Sequence, residues 1–222
     1  MIPIDDTTIL ERTREMSEKI HKGFAPSHDF SHVERVYGLA ERIARTEGAD
    51  LFIVRMAALL HDIGRAEESR EKSHEDIHEE LSVRMAGPFI DGLGISGERK
   101  EAILHAIVTH RHRRGGEPLT IEAKCLFDAD KLDSLGAVGI ARSYLWLGEH
   151  GRSVYYAPEE YAAIDPKNNS SEIDSTQREW HVKLRYLKDQ MYTRTGKNIA
   201  LERHERMERI IGDIEKEVKG EL

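Results

Sequence analysis

Apolar residues recur at spacings of three and four through nearly every segment of this 222-residue chain, and no stretch shows the strict alternation of a half-buried strand. A period near 3.6 lets one side of a helix bury while the other stays wet, so the pattern implies an all-α fold. Helices are expected near residues 7–22, 28–46, 50–63, 75–90, 97–110, 120–149 with a break, 172–193 and 197–218. Pro26, Gly48, Gly64, the Gly92 and Gly94 pair, and the Arg114-Gly115-Gly116-Glu117-Pro118 run mark connections short enough for a bundle. Between about 148 and 171 the pattern lapses into Gly151, Pro158, Pro166 and a polar tract at 167–171, which reads as a long surface loop. One domain is expected: a core over about 24–145, that loop, and C-terminal helices over about 172–219 packed on the core through Trp180, Leu184, Leu187 and Met191.

Charge and cysteine usage narrow the class. A balance of 33 basic against 41 acidic residues, net −8, argues against binding duplex nucleic acid, because affinity for phosphate backbones comes from lysine and arginine displacing counterions. A small anionic ligand remains open, provided the positive charge is local. The single cysteine, Cys125, rules out a disulfide framework within the chain and fits a reducing compartment. The start, Met1-Ile2-Pro3-Ile4-Asp5-Asp6, lacks the order of a secretion signal, and no uncharged apolar run approaches the roughly 20 residues of a membrane span. A cytoplasmic setting without membrane contact is expected.

Twelve histidines make it useful to ask which point inward. His32 shares a helical face with Val36, Leu39 or Ala40, and Ile43, with Ser27 or Ser31 as the expected N-cap. In that first turn the positive end of the helix dipole disfavours imidazolium and keeps a lone pair available to a metal. Leu51, Val54 and Ala58 lead at helical spacing to His61, with Asp62 beside it and Gly64 closing the element. An adjacent His-Asp pair says little alone, since this chain has two. At the end of an otherwise apolar helix, however, burying an unpaired carboxylate costs several kcal/mol, which a cation offsets. Farther on, Asp128, Asp130 and Asp133 interrupt a helix rich in core residues, so at least one of them should face inward, Asp130 among the residues able to share the buried face.

These segments resemble the HD-domain superfamily of metal-dependent phosphohydrolases, whose pattern is a histidine, then His-Asp, then a distant aspartate. The matching residues are His32 in His28-Asp29-Phe30-Ser31-His32-Val33-Glu34-Arg35-Val36, His61-Asp62 in Ala57-Ala58-Leu59-Leu60-His61-Asp62-Ile63-Gly64-Arg65, and Asp130. The resemblance runs over nearly the whole chain, toward stand-alone bacterial and archaeal HD hydrolases. It includes Ala129-Asp130-Lys131-Leu132-Asp133-Ser134-Leu135-Gly136-Ala137 and the C-terminal Lys183-Leu184 and Met191-Tyr192-Thr193. It implies a helical bundle with a metal between helices, held by His32, His61, Asp62 and Asp130.

Two imidazoles and two carboxylates leave coordination positions for water or substrate, and suit Mn²⁺, Fe²⁺, Co²⁺, Mg²⁺ or Ni²⁺ better than a closed zinc site. Such an ion lowers the pKa of bound water and polarises a phosphoryl oxygen. Arg65 and Lys131, directly after Gly64 and Asp130, are placed to neutralise phosphate, and Asp133 to act as general acid/base or to orient a ligand. Some members of the family use further histidines to bridge two metals, and His78-Glu79-Glu80-Leu81-Ser82 is similar to one such motif. His78 and His110 are therefore candidates for a second metal or for phosphate, one metal being favoured. Arg111-His112-Arg113-Arg114 is the densest positive segment, read as a solvated loop or as one able to attract a polyphosphate into the cleft, and Arg111 stands where the subgroup has a small polar residue, a departure that bears on substrate choice. Asp29 and His28 are placed to support His32 or to reach substrate. Tyr155 and Tyr156 can stack on a base, and Cys125 receives no role.

The expected activity is hydrolysis of a phosphate ester or anhydride in a small phosphorylated substrate, a nucleotide foremost, with pyrophosphate release from a nucleoside triphosphate as one form. The alternatives are a cyclic phosphodiesterase or nucleoside monophosphatase, a noncatalytic metal-containing nucleotide sensor, and a two-iron oxygenase. A homodimer is left open.

Overall fold

Asp5 begins the described structure by accepting hydrogen bonds from the amides of Thr7 and Thr8, which caps α1 (Asp6–His21). In the computed structural model residues 5–66, 78–95, 97–111, 116–161 and 174–222 are described. Helices follow one another along the chain: α2 (Phe30–Glu47), α3 (Leu51–Leu60), α4 (His78–Gly92), α5 (Gly97–Val108), α6 (Ile121–Asp133), α7 (Gly136–Glu149), α8 (Pro158–Tyr161), α9 (Thr176–Val182) and α10 (Arg194–Lys219). No strand occurs among the described residues, so the all-α expectation holds. No helix among them is long and apolar enough to cross a membrane.

The chain forms two compact units. The first takes residues 1–24, 28–130 and 192–196. Its centre is α3, apolar except for Arg55, which pairs with Glu41, and burying Phe52, Val54, Met56, Leu59 and Leu60. A helix with no polar face must be covered on every side, and α1, α2 and α5 pack against it while α4 packs on α5. Ser17 of α1 ties to it by donating to the Leu59 carbonyl at 2.6 Å.

The end of α3 meets α4 through Gly64. A Cβ at this position would overlap the His78 carbonyl oxygen and the Ser82 amide nitrogen, and would stand 2.7 Å from Leu81 Cβ. Only glycine permits this approach, and the Gly64 amide uses it to donate to Ser82 Oγ at 2.9 Å. The turn that carries His61 and Asp62 is thereby seated on the first turn of α4.

Asp128 fixes the return of the chain to this unit. Its buried carboxylate accepts the amides of Tyr192 and Thr193, both at 2.8 Å, and the Thr193 hydroxyl at 2.7 Å. Thr193 Oγ1 in turn accepts the Gly196 amide at 2.8 Å in the first turn of α10.

The second unit takes residues 25–27, 131–191 and 197–222. Asp133 is buried in it, 2.8 Å from Arg142, whose guanidinium also donates to the Ser27 carbonyl at 3.0 Å. The stripe of Trp180, Leu184, Leu187 and Met191 is buried as expected. The single helix expected over 172–193 is not formed: Lys183 leaves the helical region (φ −143°, ψ −59°), and 184–190 continue as a 3-10 turn, in which Leu184 and Leu187 share a side. The break expected within 120–149 lies at 134–135, and Gly136 with φ +76° restarts the helix. In the expected loop, residues 150–157 are irregular and α8 follows. The remainder of that loop, the first residues of the helix expected from 75, and His112, Arg113 and Arg114 lie outside the described residues.

Two stability outcomes follow. Gly64→Ala should cost about 3 kcal/mol of overpacking, lowering Tm by roughly 6–12 °C for a chain of this size; an unchanged melt would reject the close approach. Asp128→Ala should cost about 3 kcal/mol by stranding the buried amide and hydroxyl of Thr193 and the half-buried amide of Tyr192, as read from urea unfolding.

Candidate metal centre

Asp29, and neither Ser27 nor Ser31, caps α2, because its carboxylate accepts the Ser31 amide at 2.9 Å. The helix therefore starts at Phe30, and His32 falls in its first turn, as expected from the apolar spacing. His61 sits at the end of α3, where its Nδ1 lies 2.8 Å from the Ala58 carbonyl oxygen. A carbonyl only accepts, so Nδ1 carries the proton and Nε2 presents a bare lone pair. His110, just past α5, is fixed the same way, with Nδ1 2.6 Å from the Ile107 carbonyl.

Four imidazole Nε2 atoms converge on one carboxylate. His32 Nε2 lies 3.4 Å from His61 Nε2, 3.6 Å from Asp62 Oδ2 and 3.5 Å from Asp130 Oδ1. His61 Nε2 is 3.8 Å from Asp62 Oδ2. On the other side, His78 Nε2 and His110 Nε2 stand 3.4 and 3.7 Å from Asp62 Oδ1. Ligand atoms of His32, His61 and Asp62 all fall within 4.8 Å of one another, as do those of Asp62, His78 and His110. Every one of these side chains is at least 97% buried except Asp130, which is 17% exposed.

Arg65 donates through Nε to Asp62 Oδ2 at 2.6 Å. Burial pushes the Asp62 carboxyl up, but the positive charge of Arg65 and the surrounding His61, His78 and His32 outweigh it and hold the group well below the ordinary carboxylate range. Its Oδ1 is buried and accepts no hydrogen bond among the described residues. A bare carboxylate oxygen facing imidazole lone pairs is unfavourable unless a cation or proton lies between them. The donor set of nitrogen and carboxylate oxygen, deprotonated and inward-facing, thus fits a divalent metal.

Of the residues singled out from the sequence, the first unit brings together His32, His61, Asp62, Asp130, His78, His110 and Arg65. Lys131 and Asp133 belong to the second unit, where Asp133 is paired with Arg142. Asp29 serves as a helix cap. Cys125 is buried and its thiol is pushed up to about 12, chiefly by burial, in keeping with a packing residue.

Two neighbours complete the surroundings: Glu79, which has no role in the sequence reading, and Arg111, which that reading offers only as part of a positive segment able to attract phosphate. Glu79 is fully buried, neither of its oxygens has a hydrogen-bond donor among the described residues, and its Oε2 lies 3.8 Å from His78 Nδ1. Arg111 places one guanidinium nitrogen 3.2 and 3.1 Å from the two ring nitrogens of His78. For Glu79 the one sequence signal is its place beside a histidine on an apolar face; for Arg111 it is the dense positive segment that it opens directly after His110.

The HD domain model matches residues 29–135, which span all six histidine and aspartate side chains of the cluster. YpgQ of Bacillus subtilis is 32% identical over 216 residues, covering 95% of this chain and 94% of that protein. The chain belongs to the HD-domain family. A crystal structure of YpgQ in complex with ADP superposes with a TM-score of 0.72 at 32% identity, covering 96% of each chain. An HD-superfamily hydrolase from Bacillus thuringiensis gives 0.72 at 31% identity, over 97% of this chain and 99% of that one. The resemblance drawn from the motifs is therefore upheld.

Burial makes the centre sensitive to acid. His110 is pushed well below its ordinary 6.5, first by burial and then by His61, and His21, buried against Phe24 and Phe30, is lowered chiefly by burial. Both are neutral when folded and take up protons when unfolded below pH 6.5. The stability they contribute is fully present above 6.5 and is lost as pH falls below it, by roughly 1.4 kcal/mol per pH unit for each group. Asp62 adds a further loss only below about 3.8. Chelator-treated protein should lose several degrees of Tm between pH 7 and 5.5, with a shallower slope in His21→Gln; a flat profile would refute the assignment.

Proposed function

We propose that this HD-domain protein is a metal-dependent hydrolase of phosphate esters or anhydrides, acting on a nucleotide, with His32, His61, Asp62 and Asp130 holding the ion. The observation that carries this reading is the approach of the His32 and His61 Nε2 atoms and the Asp62 and Asp130 carboxylates within hydrogen-bonding to van der Waals distances in the protein interior. A divalent ion held there supplies an activated water and a Lewis acid for a phosphoryl oxygen.

The chain's own residues do the positioning. Backbone carbonyls of Ala58 and Ile107 lock the tautomers of His61 and His110, so their Nε2 atoms stay aimed at Asp62. Arg65 holds the Asp62 carboxylate in one orientation and, with Arg111, brings positive charge to a site that must receive phosphate. That charge is local, which reconciles an anionic substrate with a chain of net charge −8. The ADP held by YpgQ supports a nucleotide, and cleavage of a nucleoside triphosphate with release of pyrophosphate is the form of the reaction we favour.

Metal analysis and a product-release panel of nucleoside triphosphates, monophosphates and cyclic phosphodiesters test this together. Wild-type protein should retain a divalent ion and release phosphate or pyrophosphate. His61→Ala and Asp62→Ala should lose the ion and slow turnover roughly 10³-fold or more. Equal turnover by variants and wild type would reject the site. Ligand-induced thermal stabilisation without product over long incubation would instead identify a nucleotide sensor.

A further inference from the structure

The second side of Asp62 already has a cation of the protein's own. One guanidinium nitrogen of Arg111 lies nearly equally far, 3.2 and 3.1 Å, from Nδ1 and Nε2 of His78. A donor equidistant from both ring nitrogens lies along neither lone pair, so the guanidinium sits over the ring face, a preferred arrangement for arginine on an aromatic ring. The covered imidazole is the one whose Nε2 stands 3.4 Å from Asp62 Oδ1. Arg111 directly follows His110, the other imidazole of that triad, so the chain delivers ligand and cation from one turn.

Formal charges around Asp62 give the consequence. Three carboxylates, Asp62, Asp130 and Glu79, stand against two guanidiniums, Arg65 and Arg111, and an imidazole that ligates a metal adds no charge. One divalent ion takes the cluster from minus one to plus one; a second would leave it at plus three in a buried, weakly screening interior.

We propose that Arg111 sets the metal count: fixed over His78, it takes the electrostatic place of a second divalent ion, so the chain binds one ion, at His32, His61, Asp62 and Asp130, and leaves the Asp62–His78–His110 side to the phosphate of the substrate. This rests on the metal site proposed above and goes beyond it by naming the residue that chooses between one ion and two.

The test is Mn²⁺ stoichiometry, read by calorimetric titration and elemental analysis on the chelated, full-length chain. Wild type should take one ion and Arg111→Ala two, while Arg111→Lys, which keeps the charge, should remain at one. Adding His78→Ala to Arg111→Ala should return the count to one. Two ions in the wild type or in Arg111→Lys, one ion in Arg111→Ala, or a second ion that survives loss of His78 would each overturn the proposal. Arg111→Met, which keeps aliphatic bulk without charge, replaces Arg111→Ala if circular dichroism shows that variant unfolded. A wild type that takes no ion would overturn the underlying metal site as well, which separates the two failures.

Discussion

A single buried carboxylate organises the first unit. Asp62 is almost fully removed from water, yet it stays charged, and an isolated anion in that position would cost far more than the fold can spare. Its two oxygens face different sets of imidazoles, drawn from α2, the end of α3, α4 and the turn after α5, so elements far apart in sequence are tied to one atom pair. Packing supplies the position: α3 carries no polar face, is wrapped by its neighbours, and ends where Gly64 lets its last turn touch α4. Charge supplies the constraint, because a carboxylate so placed requires cations around it.

Much of this was legible from spacing. His32 and His61 lie on apolar faces whose period needs no tertiary knowledge, and an acid at the end of an apolar helix signals a partner. The three carboxylates of α6 were harder, because residues two and three apart differ in direction by more than a small error in helix phase can resolve. Asp128 proved to be the anchor for the 192–196 return, Asp130 the one beside His32, and Asp133 the partner of Arg142. The cap of α2 was misassigned to serines because Ser, Asp and Asn cap about equally well, and only the start of the helix distinguishes them. The burial of Glu79 and the contact of Arg111 with His78 are not legible from sequence for a related reason. Their roles come from where a helix starts or a turn points, and hydrophobic period carries no information on either.

The second-sphere groups show how a site of this kind is held without loops. The Ala58 and Ile107 carbonyls lie in the last turns of helices that end at the cluster, and each receives an imidazole N–H. Helix termination and ligand orientation are thus one event, and a shift of either helix end by a residue would lose both. The division of labour also bears on the family: the HD domain match covers 29–135, and the side chains of the cluster lie within it, while Asp133 and Arg142 form their own buried pair in the second unit.

Cys125 offers a practical corollary. It is the chain's single thiol, fully buried on α6 and raised to about 12, so maleimides and similar reagents find almost no thiolate at neutral pH. A cysteine introduced on the surface would therefore be the sole point of attachment for a fluorophore or spin label, with the native background left in place.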